Sequence, residues 1–162
     1  MPLLLGPAIV IVDQATKLIV ERTMRVGQII EVWGDFLWLW HVRNTAMAFS
    51  LGTGLPAGIR AVLLGALPVV VLAGILVYYL RSKALTVFQR WCFAAILGGG
   101  VGNLIDRFFR VGGVVDFVSV RFYGIFGFER WPTFNVADST VVVAGIALLA
   151  SFVREESRSK SK

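Results

Sequence analysis

The chain has 162 residues, of which 57% are hydrophobic and 16% are charged, and its mean hydropathy is +0.76. Soluble domains carry about 25% charged residues, so this composition excludes an ordinary soluble protein and predicts one membrane domain over residues 1–162. The net charge is +6, but the basic residues do not cluster with a recognition motif. We therefore assign the charge to contact with anionic membrane lipids and expect no nucleic-acid partner.

The first predicted span covers residues 2–21 and carries Asp13 and Lys17 inside an apolar run. Side chains four residues apart lie on one face of a helix, where this pair can neutralise itself. The run lacks both the basic n-region and the small-residue cleavage site of a signal peptide. We expect it to be retained as the first transmembrane helix.

Residues 26–52 have a different texture. The stretch "QIIEVWGDFLWLWHVRNTAMAFSL" is rich in β-branched and aromatic residues, and a turn signal at Gly34-Asp35 separates two runs. This pattern predicts a hairpin plus a further strand, which form a small sheet at the membrane surface. We interpret His41, the single histidine, as a residue on the surface of this sheet.

Three further spans are predicted at residues 59–80, 88–107 and 135–153. The first of them contains twenty consecutive uncharged residues, 61–80, which as a helix cover about 30 Å, the hydrocarbon thickness of a bilayer. In the next span Gly98 and Gly102 form a GxxxG motif, which permits close helix approach. Four crossings place both termini on one side, but the count of basic residues leaves the orientation open.

The remaining segments are short. Residues 118–131 mix aromatic side chains with Arg121 and Arg130, which predicts an interfacial loop or helix in the headgroup layer. The polar tail, residues 154–162, is predicted to be disordered. Cys92 is the single cysteine, and no cluster of histidine, cysteine and carboxylates has the spacing of metal ligands. We therefore expect no metal and no cofactor.

Polar side chains near membrane depth fall into two groups. The first group has a countercharge close in sequence and consists of Asp13 with Lys17 and Asp106 with Arg107. A structural role that ties helices together is favoured for these, and the partner of Asp106 is either Arg107 or a residue across the bundle. Asp116 and Asp138 have no basic residue within one helical turn, and such carboxylates indicate a functional site.

The positions of Asp116 and Asp138 predict that they meet. One follows the third span and the other opens the fourth, and sequential spans are antiparallel neighbours, so both lie at the same membrane face. Two carboxylates in a partly desolvated site share one proton near neutral pH. Such a pair provides a general base for water and a general acid for an amide carbonyl. We expect nearby asparagines to hold the substrate or to stabilise the oxyanion.

Two other functions use the same residues. Intramembrane aspartates serve as proton relays in transport subunits, and a non-catalytic assembly factor would not need them. Transporters more often place acids at the middle of the bilayer and use broken helices or repeats. The location of both carboxylates near one face therefore favours an enzyme over a proton-coupled transport subunit.

Five short motifs resemble the lipoprotein signal peptidase family, also called signal peptidase II. In that family's order they are "DQATK" (13–17), "NTAMAFS" (44–50), "GGGVGNLIDR" (98–107), "GGVVDF" (112–117) and "FNVADS" (134–139). The resemblance implies an aspartic endopeptidase of the bacterial inner membrane, with four transmembrane helices and an extracytoplasmic β-cradle. It implies a diacylglyceryl-modified prolipoprotein substrate, cleaved just before the lipidated cysteine.

The resemblance also implies roles for individual residues. Asp116 and Asp138 match the catalytic pair, and Asp13 and Lys17 match a structural motif. The positions that shape or support the site are Asn44, Asn103, Asp106, Arg107 and Asn135. It further implies a monomer without cofactor, cytoplasmic termini and an active site at the outer face.

One motif departs from the family pattern. Ala46 and Met47 stand where the family usually has glycine and then alanine, which predicts an altered loop geometry and substrate fit.

Residues 118–131 are expected to act as a lid over a substrate that enters from the bilayer.

Overall fold

The computed structural model describes residues 1–45, 56, 58–59 and 62–160. Within these residues, four helices are long and apolar enough to cross a membrane: Pro2–Thr23, Val62–Arg81, Val87–Phe109 and Val136–Arg158. The predicted fold class, a helical membrane protein with four spans and a small sheet, is confirmed. The α-helices within the first two of these spans begin a few residues later, because a short turn of another helix type precedes each of them.

The α-helices are α1 (Leu5–Thr23), α2 (Leu67–Arg81), α3 (Val87–Phe109) and α4 (Val136–Lys160). A 3-10 turn, Pro2–Leu4, precedes α1, and a π-helical turn, Val62–Ala66, precedes α2. Helix α4 runs through residues 154–160, so the disorder predicted there is wrong, while residues 161–162 lie outside the described part of the chain. The last turn of α4 carries a Glu156–Lys160 ion pair of 2.5 Å, and a cation at a helix C-terminus is favourable.

Small residues allow α3 to pack closely against both α1 and α4. A Cβ atom at Gly98 would lie 2.7 Å from the carbonyl oxygen of Gly6, and one at Gly99 would lie 2.6 Å from the carbonyl oxygen of Ala137. Atoms cannot approach so closely without displacement of the helix backbones. The glycine-rich run therefore sets the helix spacing, as the GxxxG motif predicts.

A three-stranded antiparallel sheet covers one end of the bundle. Its strands lie in the order β1 (Ile29–Trp33), β2 (Leu37–Asn44) and β3 (Val114–Val120). The predicted hairpin is present, with Gly34 at a φ of +47° in its turn. The third strand comes from the segment after α3, and the strand expected after the hairpin falls, beyond Thr45, outside the described residues.

The sheet is fixed to the bundle by an apolar core. Val20 and Met24 at the end of α1 pack against Val115 and Phe117 of β3. His41 is also buried here, with Nδ1 3.0 Å from the carbonyl oxygen of Met24. Its interpretation as a surface residue is therefore wrong, because the end of α1 covers that face of β2.

Residues 118–131 begin in β3 and continue as a loop with a 3-10 turn at Ile125–Gly127. Arg121 and Arg130 both form ion pairs with Asp35 in the turn of the β1–β2 hairpin. Two aromatic side chains of the loop, Tyr123 and Phe126, are exposed. The loop and the hairpin turn therefore present one continuous surface at this end of the molecule.

Candidate active site

Asp138 lies in the first turn of α4, where a reciprocal capping arrangement fixes it. The Asp138 N–H donates to Asn135 Oδ1 at 2.9 Å, and the Asn135 N–H donates to Asp138 Oδ2 at 3.2 Å. This is the capping-box pattern, in which the residue before the helix and the third residue of the helix satisfy each other's backbone N–H groups. A carboxylate in the first turn is also stabilised by the positive end of the helix dipole.

Asp116 lies in the middle of β3 and is 1% exposed. The pairing of β3 with β2 places it opposite Val42 and brings Asn44 within reach. Its Oδ2 accepts a hydrogen bond from Asn44 Nδ2 at 2.8 Å, and its Oδ1 accepts one from Asn135 Nδ2 at 2.7 Å. Asn135 therefore contacts both aspartates, one through its side chain and the other through the cap of α4.

Asn103 of α3 completes the arrangement. Its Nδ2 donates to Asp138 Oδ1 at 2.7 Å, and its Oδ1 accepts from Asn135 Nδ2 at 3.1 Å. Amide groups of Asn44, Asn103 and Asn135 thus point at the carboxylates. These hydrogen bonds orient the two acids. The role expected from the sequence, which is to hold the substrate or to stabilise the oxyanion, stays a prediction.

Both aspartates line one cavity of about 830 Å³. Its polar end contains Asn44, Asn103, Arg107, Asp116, Asp138 and Ser139. Its remaining wall is mostly apolar and includes Pro68, Val71, Leu72, Ile75, Ile96, Val141, Val142 and Val143. The cavity therefore joins an acidic, partly desolvated end to an apolar groove between α2 and α4.

The electrostatics of the site favour a retained proton. Burial raises the pKa of Asp116 to about 7, and the nearby Asp138 carboxylate raises this pKa as well. Hydrogen bonds from Asn44 and Asn135 and the charge of Lys17 act in the opposite direction. Asp116 is therefore partly protonated at neutral pH, as expected for one member of a pair of close carboxylates.

Asp106 and Arg107 have different surroundings although they are adjacent in sequence. Asp106 is 0% exposed and accepts from Lys17 Nζ at 2.9 Å, Arg110 Nη1 at 2.7 Å and the Val115 N–H at 3.2 Å. Arg107 lines the cavity and donates to the carbonyl oxygen of Leu64 at 3.1 Å. Of the two partners that the sequence left open for Asp106, the structure favours the residue across the bundle.

Asp13 and Lys17 form a second polar cluster with Asp106, and all three are 0% exposed. The Lys17 ammonium lies 2.8 Å from Asp13 Oδ2, and Asp13 Oδ1 accepts from the Ala137 N–H at 2.9 Å. We call Asp13, Lys17 and Asp106 the buried charge cluster. It joins α1, α3 and the start of α4.

Sequence reasoning missed two features that local patterns carry. The spacing of Asp106 and Arg110 is i,i+4, which predicts an ion pair on one helix face. The spacing Asn-x-x-Asp at 135–138 is a capping-box signal. Within the described residues, no three histidine, cysteine or carboxylate side chains gather in a group that could hold a metal ion.

The prediction of an altered loop geometry at Ala46 and Met47 falls outside the described residues.

Comparisons with known proteins agree over nearly the whole chain. The family model described as signal peptidase (SPase) II matches residues 6–154. A lipoprotein signal peptidase of Treponema denticola is 49% identical over 160 residues, which cover 99% of this chain and 92% of the relative. One from Treponema pallidum is 42% identical over 162 residues, 99% of this chain and 87% of the relative.

The fold is shared as well. A bacterial membrane enzyme solved by the in meso method at 2.3 Å resolution superposes with a TM-score of 0.84 at 28% identity, covering 99% of this chain and 92% of that chain. A second such structure, at 1.9 Å resolution, gives a TM-score of 0.78 at 27% identity, with 93% and 91% covered. The order of motifs, the four spans with their sheet, and these matches show that the chain belongs to the signal peptidase II family of membrane peptidases.

Proposed function

We propose that this protein is an intramembrane aspartic endopeptidase that removes the signal peptide from diacylglyceryl-modified prolipoproteins. Cleavage occurs on the N-terminal side of the lipidated cysteine. The observation that carries the proposal is the presence of Asp116 and Asp138 on one partly apolar cavity, each held by asparagine amides. Family membership supports the peptidase activity and the prolipoprotein substrate.

The pair hydrolyses the peptide bond with one shared proton. The ionised carboxylate takes a proton from water as the water oxygen attacks the scissile carbonyl carbon, while the protonated carboxyl group donates to the carbonyl oxygen. When the tetrahedral intermediate collapses, the proton taken from water passes to the leaving amine nitrogen. The other carboxylate takes the hydroxyl proton as the carbonyl group re-forms, which restores the starting state.

The raised pKa of Asp116 supports its assignment as the group that carries the shared proton. Asp138, which lies in the first turn of α4 at the positive end of the helix dipole, is then the base. The asparagines keep both carboxylates in place before the substrate arrives. This preorganisation lowers the barrier because little rearrangement accompanies the reaction.

The cavity suits a substrate with a peptide and a lipid part. Its polar residues, which include both aspartates, suit the peptide backbone around the scissile bond. Its apolar wall, formed by Val71, Leu72 and Ile75 of α2 and by valines of α4, provides a surface for the acyl chains. A substrate without the diacylglyceryl group would lose this contact and with it most of its binding energy.

The orientation and assembly follow from the same proposal. The sheet connects the C-terminal ends of α1 and α3 to α2 and α4, so both chain termini lie at the opposite end of the bundle. We place the termini in the cytoplasm and the aspartate pair at the outer face of the bacterial inner membrane. Since one chain supplies both aspartates and the cavity walls, the monomer is the active unit.

The test is cleavage of a purified precursor in liposomes. The parent protein should release the signal peptide from a diacylglyceryl-modified prolipoprotein, with mass spectrometry placing the new N-terminus at the lipidated cysteine. Asp116→Asn and Asp138→Asn should leave the precursor intact while circular dichroism shows folded protein. A precursor that bears serine in place of the cysteine, and so cannot be lipidated, should remain uncut.

The transport alternative is measured in the same liposomes with an internal pH-sensitive dye. Proton flux that depends on Asp116 and Asp138, with no cleavage of the precursor, would replace the proposal with a proton-coupled transport function. Cleavage that survives both substitutions would retain the peptidase but remove the aspartate mechanism.

A further inference from the structure

One side chain of the buried charge cluster, Lys17, contacts an asparagine that binds the aspartate pair. The ammonium group of Lys17 has three N–H donors, and three oxygens surround it: Asp13 Oδ2 at 2.8 Å, Asp106 Oδ2 at 2.9 Å and Asn103 Oδ1 at 3.0 Å. The third contact is not needed to balance charge, because Asp13 and Asp106 already provide the carboxylates. It extends the cluster toward the active site.

The side-chain amide of Asn103 has an orientation that these contacts determine. Its Oδ1 accepts from Lys17 Nζ and from Asn135 Nδ2, and its Nδ2 donates to Asp138 Oδ1 at 2.7 Å. An ammonium group can only donate hydrogen bonds. A rotated amide would place its NH₂ group against the Lys17 ammonium and its oxygen against the Asp138 carboxylate, and both contacts are repulsive.

We propose that Lys17 is a positioning residue for the aspartate pair, which acts by holding Asn103 in the orientation that donates to Asp138. The inference rests on the proposed function, because it concerns the efficiency of that same reaction. The contact continues through Asn135, whose Nδ2 bonds both Asn103 Oδ1 and Asp116 Oδ1. Lys17 therefore reaches both carboxylates through uncharged amides, without touching the substrate cavity.

The charge of Lys17 gives the role a second component. Lys17 from α1 and Arg107 from α3 are basic side chains whose charges act on the pair. Asp13 and Asp106 contact Lys17, Arg110 contacts Asp106, and β2 contributes the uncharged Asn44. Among these, the Lys17 charge lowers the pKa of Asp116 and so favours the ionised form of the pair. Loss of the charge should therefore move the alkaline limb of the activity profile to higher pH.

The test uses double variants that leave no unpaired buried charge. Asp13→Asn with Lys17→Met removes one charge of each sign, and Asp106 keeps its ion pair with Arg110. Asp13→Asn with Lys17→Gln removes the same charges but retains an amide that can donate to Asn103. The control, Glu21→Gln with Arg43→Met, removes the ion pair of 2.5 Å between α1 and the sheet together with the ion pair of 3.1 Å between Glu21 and Arg110, and neither contacts Asn103.

We expect the Met double variant to lower kcat by roughly tenfold or more, as for a misoriented catalytic group, with KM for the lipidated precursor unchanged. The Gln double variant should recover part of kcat, since it restores the donor to Asn103, and both should show the alkaline limb at higher pH. The control should lose thermal stability but keep the parent's kcat and pH limb, because neither of its ion pairs contacts the amide of Asn103.

Each other outcome overturns the inference. A folded Met double variant with the control's kcat and pH limb would show that Lys17 only stabilises the bundle. Failure of both double variants to fold would assign Lys17 to structure alone. Absence of cleavage by the parent would instead remove the proposed function, so the two failures are distinguishable.

Discussion

Two clusters of acidic residues lie close together in this bundle, and they differ in what surrounds them. In the buried charge cluster, Asp13 and Asp106 contact Lys17, and no part of the three side chains is exposed. In the aspartate pair, Asp116 and Asp138 contact asparagine amides and backbone N–H groups and line an open cavity. Acids that are fully buried and paired with a lysine suit a structural role. Acids that are held by uncharged donors and line a cavity open to substrate suit a catalytic role.

The difference in neighbours has a direct energetic consequence. Lysine and arginine can only donate hydrogen bonds, so the cluster requires carboxylates. The donors around the aspartate pair are uncharged amides and a backbone N–H group, so protonation of one carboxylate weakens hydrogen bonds but breaks no ion pair. The aspartate pair can therefore change protonation state without disrupting its surroundings, which is the property that acid–base catalysis requires.

The largest effect should come from the pair itself. Asp116→Asn or Asp138→Asn should lower the cleavage rate by roughly 10³-fold or more, since each removes one member of a general acid–base pair. Thermal stability should change by only about 1 kcal/mol, since each substitution alters hydrogen bonds to uncharged groups and leaves no buried charge unpaired. Parallel cleavage assays and detergent melting curves measure both quantities, and a variant that cleaves within tenfold of the parent would contradict the comparison.

The opposite response is expected in the buried charge cluster. Asp106→Asn should destabilise the fold by about 3–5 kcal/mol, because the new NH₂ group faces Lys17 and Arg110, whose side chains carry donors and no acceptor. The measurement is the free energy of unfolding in mixed micelles, with Asp116→Asn as the matched Asp→Asn control. Equal destabilisation by the two substitutions would mean that the clusters do not differ in kind.

A smaller effect on stability is expected where α3 meets this cluster. A Cβ atom at Gly102 would lie 2.6 Å from Asp13 Oδ2, whereas nothing lies within 4 Å of one at Gly74 in α2. Gly102→Ala should therefore cost about 1–3 kcal/mol through overpacking, while Gly74→Ala should be neutral or slightly stabilising. If the two alanine variants melt together, the close packing of α3 on Asp13 is refuted.

The smallest expected change concerns Asn44. Its bond of 2.8 Å to Asp116 lowers the pKa of that carboxyl group, so Asn44→Ala should raise this pKa. The alkaline limb of the cleavage rate should then move up by about one pH unit, the equivalent of one hydrogen bond to a charged group. A shift toward lower pH would show that Asn44 does not donate to the ionised form.

The contrast between the clusters was only partly predictable from the sequence. The absence of a basic neighbour singled out Asp116 and Asp138, and this is a local property of the chain. The partner of Asp106 could not be predicted from the sequence, because Lys17 is 89 positions away and only the packing of α1 on α3 brings the two together. The same limit applies to β3, whose pairing with β2 connects residues 70 or more positions apart.

Two local errors have different causes. His41 lies among half-buried residues of β2, and the end of α1 covers its side chain and buries it, which the pattern of the strand cannot indicate. Residues 154–160 are polar and were expected to be disordered, yet they extend α4 with an i,i+4 ion pair in the last turn. Composition alone does not distinguish a solvated helix end from a disordered tail.

The central claim is that Asp116 and Asp138 share one catalytic proton, with the pKa of Asp116 near 7. The most direct measurement is the pH dependence of kcat/KM for the lipidated precursor. Because activity requires the protonated carboxyl group, the rate should fall about tenfold per pH unit above an apparent pKa near 7. A profile that stays flat from pH 6 to 9, roughly one unit below to two units above this value, would contradict the account.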